Sequence, residues 1–225
     1  MSYTWLLFDA DDTLFDYPIA EGKALRSTFE HFGQVYRSEY LRIYQVFNRQ
    51  VWGEFERGET SAPDLRLKRF RLLFEEIGVL LDPQDFSQRY LENLAQASDL
   101  FPGAADVLKA LAGRYHIALV TNGLKEVQRP RLEHSAIHPY IEKIFLSEEM
   151  GFAKPDAGFF EAVFHQIGDP LKNEVLIIGD SLTSDMQGGI NYGIDTCWFN
   201  SAGKATDLPV TYTIKTLNQL HDVLK

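Results

Sequence analysis

Three aspartates, Asp9, Asp11 and Asp12, follow directly on the apolar run Trp5-Leu6-Leu7-Phe8. In an extended chain the two-residue period puts Asp9 and Asp11 on one side and turns Asp12 away, so two carboxylates are expected to face one point. Two more, Asp180 and Asp185, follow the apolar stretch from Val175 to Ile178. Carboxylates gathered at low dielectric raise one another's pKa or require a cation. Hard oxygen donors in this number suit magnesium, which keeps several waters and takes one or two carboxylates plus a phosphate oxygen. Thr121, Asn122 and Lys154 add a hydroxyl, an amide and an ammonium. Around a metal, such donors form a cradle for a phosphoryl group.

These residues need elements that bring them together. Five short apolar runs have strand length: Trp5 to Phe8, Ile117 to Val120, Lys143 to Leu146, Val175 to Ile178 and Thr196 to Phe199. Between the later four lie helical patterns, at Ala104 to Leu111, Val127 to His134, Phe159 to Ile167 and Met186 to Tyr192. Strands that are apolar without strict alternation, separated by helices, predict a doubly wound α/β fold with a parallel sheet covered on both faces. A last short strand is expected at Thr211 to Ile214, then a helix carrying Leu217, Leu220 and Val223. In such sheets the ligand crevice lies at the carboxyl ends of the strands. Met singly, each polar residue has an ordinary role: a carboxylate after a strand forms a turn, Thr121-Asn122-Gly123 is a turn sequence, and a lysine before a proline is solvated surface. Their convergence at four of five strand ends favours the chemical reading.

The segment from Tyr17 to Ser98 differs. It has no strand pattern, and helical spacing recurs at Ala24 to Phe32, Tyr40 to Phe55, Leu65 to Ile77 and Phe86 to Leu94. The expected organisation is an α/β core from 1–16 and 100–225 with an all-helical insert at 17–99.

The 225 residues suffice to bury a proper core, and a composition of 45% hydrophobic and 24% charged residues is that of a globular protein. A formal charge of −10 argues against nucleic-acid or anionic-membrane partners, which reward a basic face. No apolar window approaches the roughly 18 residues of a membrane span, so a cytoplasmic location is expected. The single cysteine, Cys197, cannot form an intramolecular disulfide and is expected as a buried apolar residue in a strand.

Together, Asp9-Ala10-Asp11-Asp12-Thr13 after an apolar strand, Thr121-Asn122-Gly123, Lys154-Pro155 and Gly179-Asp180 through Asp185 resemble, in order, the four motifs of the haloacid dehalogenase superfamily of phosphotransferases. The resemblance implies that Asp9 is the nucleophile, forming an aspartyl-phosphate, and that Asp11 is the general acid and base. It implies magnesium held by the Asp9 carboxylate, the Asp11 backbone carbonyl and Asp180, with Asp185 close by, directly or through a water. Thr121, Asn122 and Lys154 would hold the phosphoryl oxygens, Lys154 also orienting Asp9. Asp12 stands where many members have glycine, so the turn there is expected to differ. The presence of Asp11 argues against the dehalogenase branch, which lacks this second acid and uses no metal.

In this superfamily an insert after the first motif resembles a helical cap, which excludes water from the site when it closes. The whole chain looks like a capped subgroup that includes bacterial pyrimidine 5′-nucleotidases. The expected substrate is therefore a small phosphate ester, a pyrimidine nucleoside 5′-monophosphate first, with small sugar phosphates or phosphoglycolate as the alternative. Tyr17, Asn48, Trp52 and Phe55 are the candidates to select it. A rival is a non-catalytic phospho-receiver or binding module, which also sets an acidic pair after its first strand. Such domains are about half this length, have no helical insert there, and give Asp180 and Asp185 no role.

Overall fold

The computed structural model describes residues 3–225. The chain divides into two compact units, one comprising residues up to Tyr17 together with Ser98–Lys225, the other Pro18–Ala97.

The first unit is built on β1 (Trp5–Phe8), β2 (His116–Thr121), β3 (Lys143–Leu146), β4 (Val175–Gly179), β5 (Asp195–Phe199) and β6 (Tyr212–Ile214). They form one sheet in the order β3-β2-β1-β4-β5-β6, and every pairing is parallel. The central strand β1 shows why both faces are covered. Leu6 and Phe8 join Ile117, Leu119, Leu176 and Ile178 in one apolar layer, while Leu7 joins Ala118, Val120 and Ile177 in the other. Parallel strands must be linked by crossovers, and the crossover helices supply the covering surfaces.

Four helices lie in Pro18–Ala97 or start beside it: α1 (Tyr17–His31), α2 (Ser38–Glu56), α3 (Ala62–Ile77) and α4 (Pro83–Gln96). In the α/β unit follow α5 (Ala104–Leu111), α6 (Lys125–Glu133), α7 (Ser147–Met150), α8 (Ala157–Ile167), α9 (Gln187–Tyr192) and α10 (Leu220–Val223). Val107, Leu108 and Leu111 of α5 pack on the layer of Leu6 and Phe8. Phe159, Phe160, Val163 and Phe164 of α8 pack on the layer of Leu7. Fully burying each such side chain contributes about 1.5–3 kcal/mol, so the strand runs and these helix faces secure the sheet edge that carries the polar residues.

The helical unit has its own core. Tyr44, Phe70, Phe86 and Tyr90 interlock, with the Phe70 ring centroid 5.4 Å from Tyr44, 5.2 Å from Phe86 and 5.1 Å from Tyr90. Its helix starts are read directly from residue type: Ser61 accepts the Asp64 N–H, Asp82 accepts those of Gln84 and Asp85, and prolines follow both caps. Among the described residues no helix is long and apolar enough to cross a membrane.

The expected strands and helices are found, with ends that differ by a few residues. The largest difference is α1, which begins at Tyr17 rather than Ala24. Its first two turns carry Pro18 and Gly22 and no repeating apolar face, so periodicity is silent there. Cys197 is fully buried in β5, and burial pushes its thiol up to about 12.

Candidate active site

At the end of β1 the ladder runs one residue further, the Asp9 N–H donating to the Ile178 carbonyl at 2.8 Å. The chain then bends sharply. Leu14 and Phe15 both donate to the Ala10 carbonyl, at 3.0 and 2.9 Å, and Asp12 donates to that of Phe15 at 2.9 Å. Asp12 sits at φ 59°, the left-handed region that glycine enters freely and aspartate tolerates. The turn expected to differ at Asp12 is thus one a glycine would also make.

The bend changes one expectation. Asp9 and Asp11 do not direct their carboxylates to one point, because the extended geometry ends at Asp9. The Asp9 carboxylate joins those of Asp180 and Asp185, with ligand oxygens of all three within 4.8 Å of one another. The Asp11 carboxylate is instead held by α6, Gln128 Nε2 donating to Oδ2 at 2.5 Å and the Arg131 guanidinium to Oδ1.

Lys154, expected at the surface when seen alone, is 1% exposed. Its Nζ donates to Asp9 Oδ1 at 2.6 Å, Asp185 Oδ1 at 2.6 Å and the Val120 carbonyl at 2.7 Å, which uses all three of its protons. Burial alone would lower its pKa; the charges of Asp185 and Asp9 outweigh that and hold it above the usual lysine value. Asn122 fixes the lysine's backbone from both sides, Nδ2 donating to the Lys154 carbonyl at 2.8 Å and Oδ1 accepting its N–H at 2.9 Å. The Asn122 side chain therefore orients Lys154, with both its amide oxygen and its amide nitrogen engaged there. Thr121 is buried, and its hydroxyl oxygen accepts the Gly123 N–H at 2.9 Å, which leaves the hydroxyl proton to give to an anion.

Asp185 comes into place through a π-helical turn, Leu182–Met186, after β4. Ser181 caps this turn by accepting the Ser184 N–H, and the Ser181 N–H donates to Asp185 Oδ2 at 3.1 Å. Gly179 is required beneath it: a Cβ there would lie 2.2 Å from Asp185 Oδ2. Asp180 is anchored through its carbonyl, which accepts the Trp198 indole N–H at 2.9 Å.

The electrostatics point to a cation. Burial first, then the charges of Asp9, Asp185 and Asp12, push Asp180 up to about 9. Burial also pushes Asp9 up to about 8, Lys154 opposing and Asp185 and Asp11 reinforcing the rise. Three carboxylates against one ammonium make an acidic excess, in keeping with the raised pKa of Asp9 and Asp180. A divalent cation offsets such an excess, and an all-oxygen donor set suits magnesium. The residues present fit that ion.

The model of the haloacid dehalogenase-like hydrolases matches residues 6–199, a span that takes in all of these groups. The chain belongs to that family. The crystal structure of the HAD-hydrolase YfnB from Bacillus subtilis, bound to magnesium, superposes with a TM-score of 0.94 at 36% identity, covering 100% of both chains. The pyrimidine 5′-nucleotidase PynA of Streptococcus pneumoniae is 38% identical over 100% of this chain and 96% of its own. The pyrimidine 5′-nucleotidase YjjG of Escherichia coli is 31% identical over 100% and 99%. This haloacid dehalogenase-like hydrolase is thus similar to these proteins from end to end.

The four residues expected to select a substrate differ in exposure, and Asn48 is the buried one. It is buried inside the helical unit, Nδ2 donating to Glu21 Oε1 at 3.0 Å and Oδ1 accepting from Arg69 at 2.9 Å. It bridges two buried charged groups, so its amide serves the core of that unit. Trp52 and Phe55 are half-buried and meet edge to face at 5.7 Å, and Tyr17 is half-buried at the start of α1. Gln128 and Arg131 were not foreseen. Their spacing of three places both on one face of α6, but a polar pair at that spacing reads as a solvated face, and its partner Asp11 lies more than a hundred residues away.

Proposed function

We propose that this chain is a magnesium-dependent phosphomonoester hydrolase working through an aspartyl-phosphate on Asp9, with pyrimidine nucleoside 5′-monophosphates as preferred substrates. The observation that carries the chemistry is the cluster of buried Asp9, Asp185 and Lys154 with half-buried Asp180, whose uncompensated charge matches a divalent cation. The substrate reading is supported by the full-length similarity to two bacterial pyrimidine 5′-nucleotidases.

In this scheme an Asp9 oxygen attacks phosphorus while the bond from phosphorus to the ester oxygen breaks, and Asp11 gives its proton to that leaving oxygen. Asp11 then takes a proton from a water, whose oxygen attacks phosphorus, releasing phosphate and restoring Asp9. Lys154 fixes the attacking carboxylate from one side, since its ammonium already bonds Asp9 Oδ1. Thr121 and the backbone of Asn122 receive the phosphoryl oxygens. Magnesium would be held by Asp9, the Asp11 carbonyl and Asp180, with Asp185 beside it, and would offset charge on the carboxylates and the phosphoryl group. Selection is assigned to the helical unit, with Trp52 and Phe55 as stacking surfaces for a base.

The test is phosphate release with magnesium from uridine, deoxyuridine and thymidine monophosphates, purine monophosphates, sugar phosphates and phosphoglycolate. The expected result is the highest kcat/KM for the pyrimidine monophosphates. A sugar phosphate or phosphoglycolate ahead of them would leave the chemistry standing and overturn the substrate.

A further inference from the structure

We propose that Gln128 and Arg131 are positioning residues for Asp11, fixing the direction of its carboxylate for proton transfer to and from the reacting oxygen. The inference rests on the reading of Asp11 as the general acid and base. Each carboxylate oxygen is taken by a different donor, Oδ2 by Gln128 and Oδ1 by Arg131, so rotation of the group about its own axis is blocked. Both donors are themselves locked. Arg131 is 0% exposed and its guanidinium lies over the Phe15 ring, 4.4 Å from the centroid. Phe15 belongs to the bend that carries Asp11, so one arginine grips the loop at both its aromatic and its acidic residue. Gln128 is 1% exposed and reaches Asp11 through the space where Gly123 has no side chain. A Cβ at Gly123 would lie 2.2 Å from Gln128 Nε2. The glycine after Thr121-Asn122 thus has a steric reason that the turn alone does not give: it admits the glutamine to the acid.

A buried arginine held by a half-exposed aspartate also contributes to stability, so the test must separate position from fold. Gln128→Met keeps length and loses the donor, Arg131→Met removes the charge, and Arg131→Lys keeps it. Product release in a first turnover, enzyme in excess with magnesium, is compared for uridine monophosphate and p-nitrophenyl phosphate; phosphoglycolate replaces the nucleotide if the wild type prefers it. A sugar oxygen needs a proton to leave, whereas p-nitrophenolate leaves without one. Gln128→Met and Arg131→Met are expected to slow release from the alkyl ester by about tenfold or more. They should slow release from the aryl ester much less and leave KM for the alkyl ester within about twofold, while Arg131→Lys recovers part of the loss. Equal losses on both esters, or no loss in Gln128→Met, would overturn the proposal. Asp11→Asn in the same assay separates the two levels: full alkyl-ester activity there would overturn the reading of Asp11 itself.

Discussion

Replacing Lys154 by methionine removes the ammonium hydrogen-bonded to Asp9 and Asp185 while keeping most of the side-chain volume, so the change is electrostatic rather than a cavity. Three hydrogen bonds of 2.6, 2.6 and 2.7 Å are lost. Among the described residues, the fully buried Asp185 carboxylate then keeps the Ser181 N–H and no ion-pair partner. Breaking a buried pair from one side costs about 3–5 kcal/mol, against a domain stability of about 5–15 kcal/mol. At about 2–4 °C per kcal/mol for a chain of this size, the Tm should fall by about 6–20 °C in metal-free buffer. Thermal and urea denaturation in EDTA are the assays, read by tryptophan fluorescence, since Trp5 and Trp198 lie in the α/β unit. Magnesium should return part of the loss, because a cation replaces the missing positive charge. A change below about 1 kcal/mol, the range of an exposed ion pair, would refute the argument that this lysine balances a desolvated acidic cluster.

Smaller substitutions at two positions test the turn and the helical unit. Asp12→Gly should leave turnover intact and change stability by at most about 1 kcal/mol, whereas Asp12→Val should cost more than that in the same denaturation assay, since a β-branched residue resists φ 59°. Asn48→Ala should cost about 2–3 kcal/mol through its lost bonds to Glu21 and Arg69 while the ratio of kcat/KM between pyrimidine and purine monophosphates stays unchanged; a shifted ratio would restore Asn48 to substrate selection.

The strands were legible because a parallel strand buried on both faces must be apolar along its whole length, and runs such as Val175 to Ile178 have no other ready explanation. The polar residues after those runs were legible for the same reason, since a sheet edge is the place where the apolar pattern stops. What escaped was decided by partners distant in sequence. The place of Lys154 in the site is legible from its motif, but its complete burial is not, because that depends on Asp9, 145 positions earlier, and Asp185. Asp11 appeared to share a point with Asp9 because the extended period was carried past a bend that backbone bonds to Ala10 create. The π-helical turn that places Asp185 has no apolar period at all; it is held by Ser181. Asn48 lies at helical spacing from Tyr44 and Val51, both buried, and that spacing was the signal that its amide faces the core.

The central claim, a covalent intermediate on Asp9, is tested most directly by rapid acid quench of the protein turning over uridine monophosphate labelled at phosphorus, in magnesium. The prediction is a labelled protein within the first turnover, stable in acid and released by hydroxylamine, with the phosphate mapped by mass spectrometry to the peptide carrying Asp9 and absent from Asp9→Asn. Steady turnover with no labelled protein, label on another residue, or turnover retained by Asp9→Asn would contradict it.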